Sequence, residues 1–151
     1  MRVVIQRSKE ASVTIEGELF SKINKGYVIL VGIEDRDSEE DVEYLCQKIV
    51  KMRVFDDSEG IPNLSIKEVE DSDILLVSQF TLMAMTKKGN RPSYIHASRP
   101  EFAEPLYEKM VARLSELMGR QIKTGKFGYN MNLSLVNDGP HTILIDTQNK
   151  E

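Results

Sequence analysis

Two nearly uninterrupted apolar runs require this chain to contain a buried sheet. The first run extends from Tyr27 to Ile33, and the second lies in the segment Asp73–Leu82, which is apolar from Ile74 to Val77 and ends in polar residues. Consecutive side chains of a strand point to opposite faces of its sheet, so an apolar run of this kind must be covered on both sides. We therefore predict two central strands with packing partners on both faces.

Shorter strands are predicted around these two. Ala11, Val13 and Ile15 alternate with polar residues, which is the period-two pattern of a half-buried strand. Turn residues at 16–18 and 24–26 separate the first strands along the chain. This order favours an antiparallel meander over βαβ units. The further strands are predicted at residues 2–6, 11–15, 19–23, 131–136 and 143–145.

Two amphipathic segments predict helices at 38–53 and 99–118. Ser38 with Asp41, and Ser98 with Glu101, have the spacing of a capping box at a helix start. Apolar residues then recur every three or four positions, which gives each helix one buried face. Cys46 falls on the apolar face of the first helix, so we expect a buried structural thiol.

Length and composition exclude several classes of protein. A chain of 151 residues suggests one domain, residues 1–151. The net charge of −4 excludes a strongly basic nucleic-acid binder but leaves room for a local basic patch. One cysteine and two histidines exclude a disulfide framework and a Cys-rich zinc site. Neither a membrane span nor a signal peptide is visible, so we expect a cytoplasmic protein. The spacing of the two histidines supports no metal site, and we expect neither a metal nor a cofactor.

Two polar clusters and one basic loop are the candidates for function. Ser78, Gln79 and Thr81 lie at the end of the second central strand, where they either bond to nearby backbone or face a ligand. The segment 137–142 is either an ordinary hairpin tip or part of a site. His141 could serve Ser78 or Thr81 as a base, which would make the protein a Ser/His hydrolase of small esters. The loop 87–92 carries Lys87, Lys88 and Arg91, a local patch suited to phosphates.

The two polar clusters resemble the signature motifs of the D-aminoacyl-tRNA deacylases. Residues 78–82 read SQFTL, and residues 137–142 read NDGPHT, which resembles the pattern NxGPxT. The two motifs begin 59 positions apart, and the resemblance extends over essentially the whole chain. The chain departs from the family where His141 replaces a common Val and where Tyr129 replaces a common Ala. Both departures lie beside the expected pocket.

The resemblance implies an α+β fold, in which antiparallel strands form a barrel-like sheet system with the two helices packed on it. It also implies hydrolysis of the ester that links a D-amino acid, or mischarged glycine, to the 3′ end of tRNA. The reaction would use the substrate's own 2′-OH rather than a nucleophilic Thr81. The runner-up is a non-catalytic, dimeric module of the same fold that binds a tRNA end or a nucleotide.

The family pattern also assigns roles to residues of this chain. The family is a homodimer, and the Gly-Pro pair, as a cis peptide, enters the partner's active site to exclude L substrates. The expected catalytic residues are Ser78, Gln79, Phe80 and Thr81. The residues expected to bind substrate and select its chirality are Gly139, Pro140, Met131 and Asn137. The residues expected to contact tRNA phosphates are Lys87, Lys88 and Arg91.

Overall fold

One long strand organises the sheet of this protein. The computed structural model describes all residues from Met1 to Glu151. Strand β1 (Arg2–Ile15) is continuous, whereas the sequence predicted separate strands at 2–6 and 11–15. One edge of β1 pairs with β3 (Gly26–Gly32) and then with β2 (Glu18–Ile23). Its other edge pairs with β8 (Asn132–Asp146) along nearly its whole length.

The remaining strands make the sheet mixed rather than antiparallel. The order is β2-β1-β3-β6-β7, with β6 at Asp73–Ser78 and β7 at Lys123–Thr124. Strand β6 is parallel to β3 and to β7, so the antiparallel prediction is wrong for these two pairs. The long connections through residues 33–72 and 79–122 supply the crossovers that parallel pairing needs. The Ser21 hydroxyl donates to the Thr124 carbonyl at 2.7 Å, so β2 and β7 nearly close the barrel.

Two helices cover one face of this sheet, as predicted. Helix α1 (Glu39–Lys51) and helix α2 (Pro100–Met118) share the larger hydrophobic core with the inner residues of β1, β3 and β6. Ile74 and Leu76 of β6 belong to that core, whereas Leu75 and Val77 belong to a second, smaller core. Strand β6 is therefore buried on both faces, which confirms the prediction that its apolar run is covered on both sides.

The predicted helix caps differ in their outcome. The Ser38 backbone N–H donates to the Asp41 carboxylate at 2.8 Å, so the capping box of α1 is confirmed. The capping box predicted at Ser98 is wrong, because the Ser98 hydroxyl donates to Asp35 at 2.8 Å instead. Pro100 occupies the first helical position, where its missing N–H costs nothing and its fixed φ suits the helix. Gly119, with φ of +71°, ends α2 as predicted.

A small hairpin stands between α1 and β6. Strands β4 (Arg53–Asp56) and β5 (Pro62–Ser65) pair antiparallel, and an exposed turn joins them. No helix of the protein is long and apolar enough to span a lipid bilayer.

We predict that Cys46 is unreactive until the protein unfolds. The side chain is fully buried, and burial raises the pKa of its thiol to about 12. Because the thiolate is the reactive form, a disulfide reagent at pH 8 should label the folded protein negligibly and the urea-unfolded protein with one equivalent. Rapid labelling of the native protein would contradict the burial.

Candidate active site

The SQFTL segment forms a tight turn at the end of β6, which stops at Ser78, so the predicted strand 73–82 is wrong for its last four residues. The Gln79 N–H donates to the Val31 carbonyl at 2.7 Å, and residues Phe80–Met83 then form one turn of 3₁₀ helix. The Gln79 side-chain amide donates to the Thr81 hydroxyl. The Ser78 hydroxyl is half-buried and has no hydrogen-bond partner within the chain, although it remains accessible to a ligand. The polar side chains of this turn are therefore not hydrogen-bonded to the backbone.

Two contacts fix this turn on the sheet. Gly32 lies beneath it, and a Cβ there would stand 3.0 Å from the Leu82 Cβ and 3.1 Å from the Gln79 carbonyl oxygen. Arg2 donates to the Leu82 carbonyl at 2.6 Å and to the Asp146 carboxylate at 2.8 Å. The turn is therefore held by close packing against β3 and by a side chain from the first residue of β1.

The predicted basic loop lies beside the turn. Phe80 is 57% exposed and contacts Tyr94 edge-to-face, with ring centroids 5.2 Å apart. Met85 and Ser93 exchange two backbone hydrogen bonds that close the loop at its base. Lys87, Lys88 and Arg91 are exposed in the loop, and none forms an ion pair.

Met131 also approaches the end of β6. Its sulfur accepts a hydrogen bond from the Lys126 N–H at 3.3 Å. A Cβ on Gly125 would lie 2.5 Å from the Met131 sulfur and 3.6 Å from the Val77 side chain. Met131, which the family pattern predicts to bind substrate, therefore packs beside Val77, the residue that precedes Ser78.

The second motif is a bulge in β8, not the tip of a hairpin. Thr142 pairs with Gln6 and Asn137 pairs with Ser8, so residues 138–141 bulge out opposite a single residue of β1. Residues 143–145 form a strand, as predicted, but they continue β8 beyond the motif instead of returning after a hairpin, because both flanks of the motif pair with β1. The Gly139–Pro140 peptide is cis, as predicted, and both residues are exposed.

Arg7 fills the gap opposite this bulge, and sequence reasoning missed it. The side chain is only 5% exposed. Its guanidinium donates to the carbonyls of Val54, Asp138 and Gly139 at 2.7, 3.1 and 3.2 Å. It also pairs with the carboxylates of Asp56 and Asp138. A buried arginine with this many partners holds the bulge in one position.

The two motifs are anchored at separate positions of β1. Arg2 anchors the SQFTL turn and Arg7 anchors the bulge, and these two residues lie about 17 Å apart along β1 at ~3.4 Å per residue. Gly139, Pro140 and Asn137 are accordingly grouped apart from Ser78, Phe80 and Thr81. His141 makes no hydrogen bond to Ser78 or Thr81, so the structure offers no support for a Ser/His pair.

Comparison with known proteins decides the family. The family described as D-Tyr-tRNA(Tyr) deacylase matches residues 4–146. The chain belongs to this family. A D-aminoacyl-tRNA deacylase of Porphyromonas gingivalis is 61% identical to it over 151 residues, and one of Bacteroides fragilis is 58% identical. Both matches cover the whole of each chain, so the predicted family is confirmed.

Two solved structures share the fold of this chain. A structure described as c-Myc DNA Unwinding Element Binding Protein superposes with a TM-score of 0.91 at 38% identity, covering 97% of this chain and 99% of its own. A probable eukaryotic D-amino acid tRNA deacylase superposes with a TM-score of 0.82 at 17% identity, covering 95% and 98%. The second likeness concerns the fold alone.

We predict that Arg7→Met destabilises this deacylase-family protein by about 2–4 kcal/mol, because the carbonyls and carboxylates around Arg7 lose a charged donor. Urea unfolding at fixed protein concentration measures the effect. The matched control is Arg36→Met, which removes an arginine that is 66% exposed and paired with Glu34, and it should cost less than about 0.5 kcal/mol. Equal effects of the two variants would contradict the role of Arg7.

Proposed function

We propose that this protein hydrolyses the ester between a D-amino acid and the 3′-terminal adenosine of tRNA. The observation that carries the proposal is the accessible turn at the end of β6, whose Ser78 hydroxyl is free for a ligand. The full-length relatives named D-aminoacyl-tRNA deacylase support it. We extend the proposal to glycine esters, because glycine has no side chain for a chiral wall to exclude. A tRNA substrate also supports a cytoplasmic location.

The chemistry of the turn suits positioning rather than proton transfer by a side chain. Residues 78–83 contain no histidine, carboxylate or lysine. An aminoacyl ester is already activated, so orientation and stabilisation of the developing oxyanion can supply much of the rate. In the proposed reaction the ribose 2′-OH assists the attack of water. The polar groups of Ser78, Gln79 and Thr81 orient the ester, while Phe80 and Met131 supply apolar contact.

The chiral selector of the proposed site is the backbone of Gly139-Pro140. Gly139 has no Cβ, so its carbonyl can approach the substrate Cα closely. The hydrogen bond from Arg7 to that carbonyl, at 3.2 Å, limits its movement. A rigid carbonyl close to the substrate Cα would exclude an L side chain and would leave room for a hydrogen atom or a D side chain. Asn137 flanks the same bulge and completes this surface.

The separation of the two motifs supports a homodimer with shared sites. Within one chain, the anchors of the motifs lie about 17 Å apart on β1, too far for both to contact one aminoacyl group. A twofold pairing would bring the exposed Gly139-Pro140 of one subunit to the SQFTL turn of its partner and would create two equivalent sites. We therefore propose that 1–151 acts as one domain within such a dimer.

A nucleic-acid-binding module without catalysis is the second candidate. It is favoured by the name of the structure at 38% identity, which describes a DNA-element binding protein. Incubation with D-tyrosyl-tRNA and L-tyrosyl-tRNA separates the two candidates. A deacylase releases D-tyrosine and spares the L ester, whereas a binding module retards tRNA in a gel and releases neither amino acid.

We predict that Gly139→Ala impairs catalysis more than Thr81→Ala does. A Cβ at Gly139 meets nothing within its own chain closer than the Asn137 side-chain nitrogen at 3.8 Å, so the variant subunit should fold normally. The added methyl would instead occupy the space needed by the substrate Cα. Thr81→Ala should retain activity within about tenfold, or about 1.4 kcal/mol in the barrier, because no side-chain nucleophile is required. Single-turnover deacylation of D-tyrosyl-tRNA measures both.

The control for these variants is their melting temperature and their mass by light scattering, both of which should match the wild type. A Thr81→Ala enzyme that is folded and binds tRNA but has lost all activity would contradict the mechanism and favour covalent catalysis.

We predict that the basic loop contributes affinity for tRNA rather than chemistry. Lys87, Lys88 and Arg91 carry free charges beside the SQFTL turn of an otherwise acidic chain. Replacing all three with Gln should raise KM for D-aminoacyl-tRNA and reduce the dependence of KM on salt, with kcat nearly unchanged. Steady-state kinetics between 50 and 200 mM salt, roughly the range over which phosphate contacts respond strongly, provide the measurement. An unchanged salt dependence would contradict the assignment.

A further inference from the structure

Tyr129 is an exposed aromatic ring with a cation fixed against it. The ring is 50% exposed, and the Lys126 ammonium lies 4.0 Å from its centroid. The Tyr129 N–H donates to the Lys126 carbonyl at 3.2 Å, and Gly128 between them has a φ of +78°. This tight turn places the two side chains next to each other. The lysine is within the distance of a cation–π contact.

The turn that carries Tyr129 borders the proposed active site. Before it, the Gly125 N–H donates to the Leu76 carbonyl at 3.1 Å. After it, Met131 packs where a Cβ on Gly125 would stand. The segments before and after Tyr129 therefore contact Leu76 and Val77, the two residues that precede Ser78.

The surface around this ring is cationic, although the protein is acidic. Residues 117–137 contain three cations and no acidic residue, in a chain of net charge −4. Lys123 and Lys126 are exposed and have no carboxylate within ion-pair distance. Lys22 lies on the neighbouring strand, because the Ser21 hydroxyl donates to the Thr124 carbonyl. Lys22, Lys123 and Lys126 are therefore exposed cations on adjacent segments, and together they would attract a polyanion.

We propose that Tyr129 and Lys126 form a stacking platform for an unpaired nucleotide of the tRNA 3′ strand, with Lys123 and Lys22 contacting phosphates behind it. Single-stranded RNA is bound in this way, by exposed aromatic rings that stack on bases and by cations that follow the backbone. The immediate neighbours Gly128 and Asn130 are small or polar, which suits a nucleotide better than an apolar protein surface. This inference rests on the proposed function, because the terminal adenosine must occupy the adjacent site.

Three variants test the platform in two assays. Tyr129→Ala removes the ring, Tyr129→Phe keeps it, and Phe102→Ala removes a ring that is 40% exposed on α2 as the matched control. The first assay measures fluorescence anisotropy of a labelled single-stranded RNA that ends in CCA. The second compares kcat and KM on D-tyrosyl-tRNA with those on the D-tyrosyl ester of adenosine, which lacks the preceding nucleotides.

Tyr129→Ala should weaken oligonucleotide binding and raise KM for D-tyrosyl-tRNA by about 5- to 150-fold, the range that one stacked base gives. Its kcat and its kinetics on the adenosine ester should stay at wild-type values. Tyr129→Phe and Phe102→Ala should differ from wild type by less than about twofold, since stacking needs only a π-face.

Three results would overturn the proposal: equal losses on the tRNA and adenosine substrates, an unchanged KM together with unchanged oligonucleotide binding, or conversion of Tyr129→Ala to a monomer in light scattering. The last would assign the ring to contact with a second copy of the chain. A wild-type protein that deacylates neither substrate, yet binds the oligonucleotide through Tyr129, would refute the proposed function and support the platform.

Discussion

The packing of the β4–β5 hairpin and the β8 bulge against β1 depends on one buried charge, which needs hydrogen-bond partners. The guanidinium of Arg7 lies on the inner side of β1, where an unpaired cation would be strongly unfavourable. Its partners come from two places, the β4–β5 hairpin and the bulge of β8. Both the hairpin and the bulge are thereby held against β1, and the bulge cannot move without leaving a buried donor or acceptor unpaired.

The fixed bulge would give the proposed site a means of selection that needs no acid–base pair. In the proposed site, the SQFTL turn orients the ester, and a backbone carbonyl held by Arg7 tests the configuration of the amino acid. Orientation and exclusion are thus separate tasks, each performed by a segment that is anchored to β1. Because the two anchors are far apart on that strand, we propose that a complete site combines the turn of one subunit with the bulge of another.

The sequence was most informative where structure follows from local pattern. The apolar runs 27–33 and 74–77 predicted the two central strands, and Ser38 with Asp41 predicted the start of α1. The parallel pairing of β3 with β6 was missed, because the short turns between the first strands favoured an antiparallel meander, although near-continuous apolar runs are typical of parallel strands. Ser98 was a misleading cap, and Pro100 at the first helical position was the better signal.

In the candidate site, too, short local patterns were predictable and contacts between distant residues were not. The two motifs, and with them the family, were recognisable from short segments of sequence. The role of Arg7 was not, because three of its hydrogen bonds go to carbonyls 47 to 132 residues away, which any residue type can supply. The bulge in β8 was also hidden, since an NDGP segment between two apolar stretches is equally typical of a hairpin turn.

Activity of mixed dimers tests the shared site most directly. A Thr81→Trp subunit, whose ring would fill the SQFTL pocket, can be coexpressed with a Gly139→Ala subunit under separate tags, and the mixed dimer isolated. If the motifs meet across the interface, one of the two sites is fully wild type, and the mixed dimer should recover about half of the wild-type activity. If each site lies within one chain, both sites carry a defect, and the mixed dimer should have no more activity than the mean of its two parents.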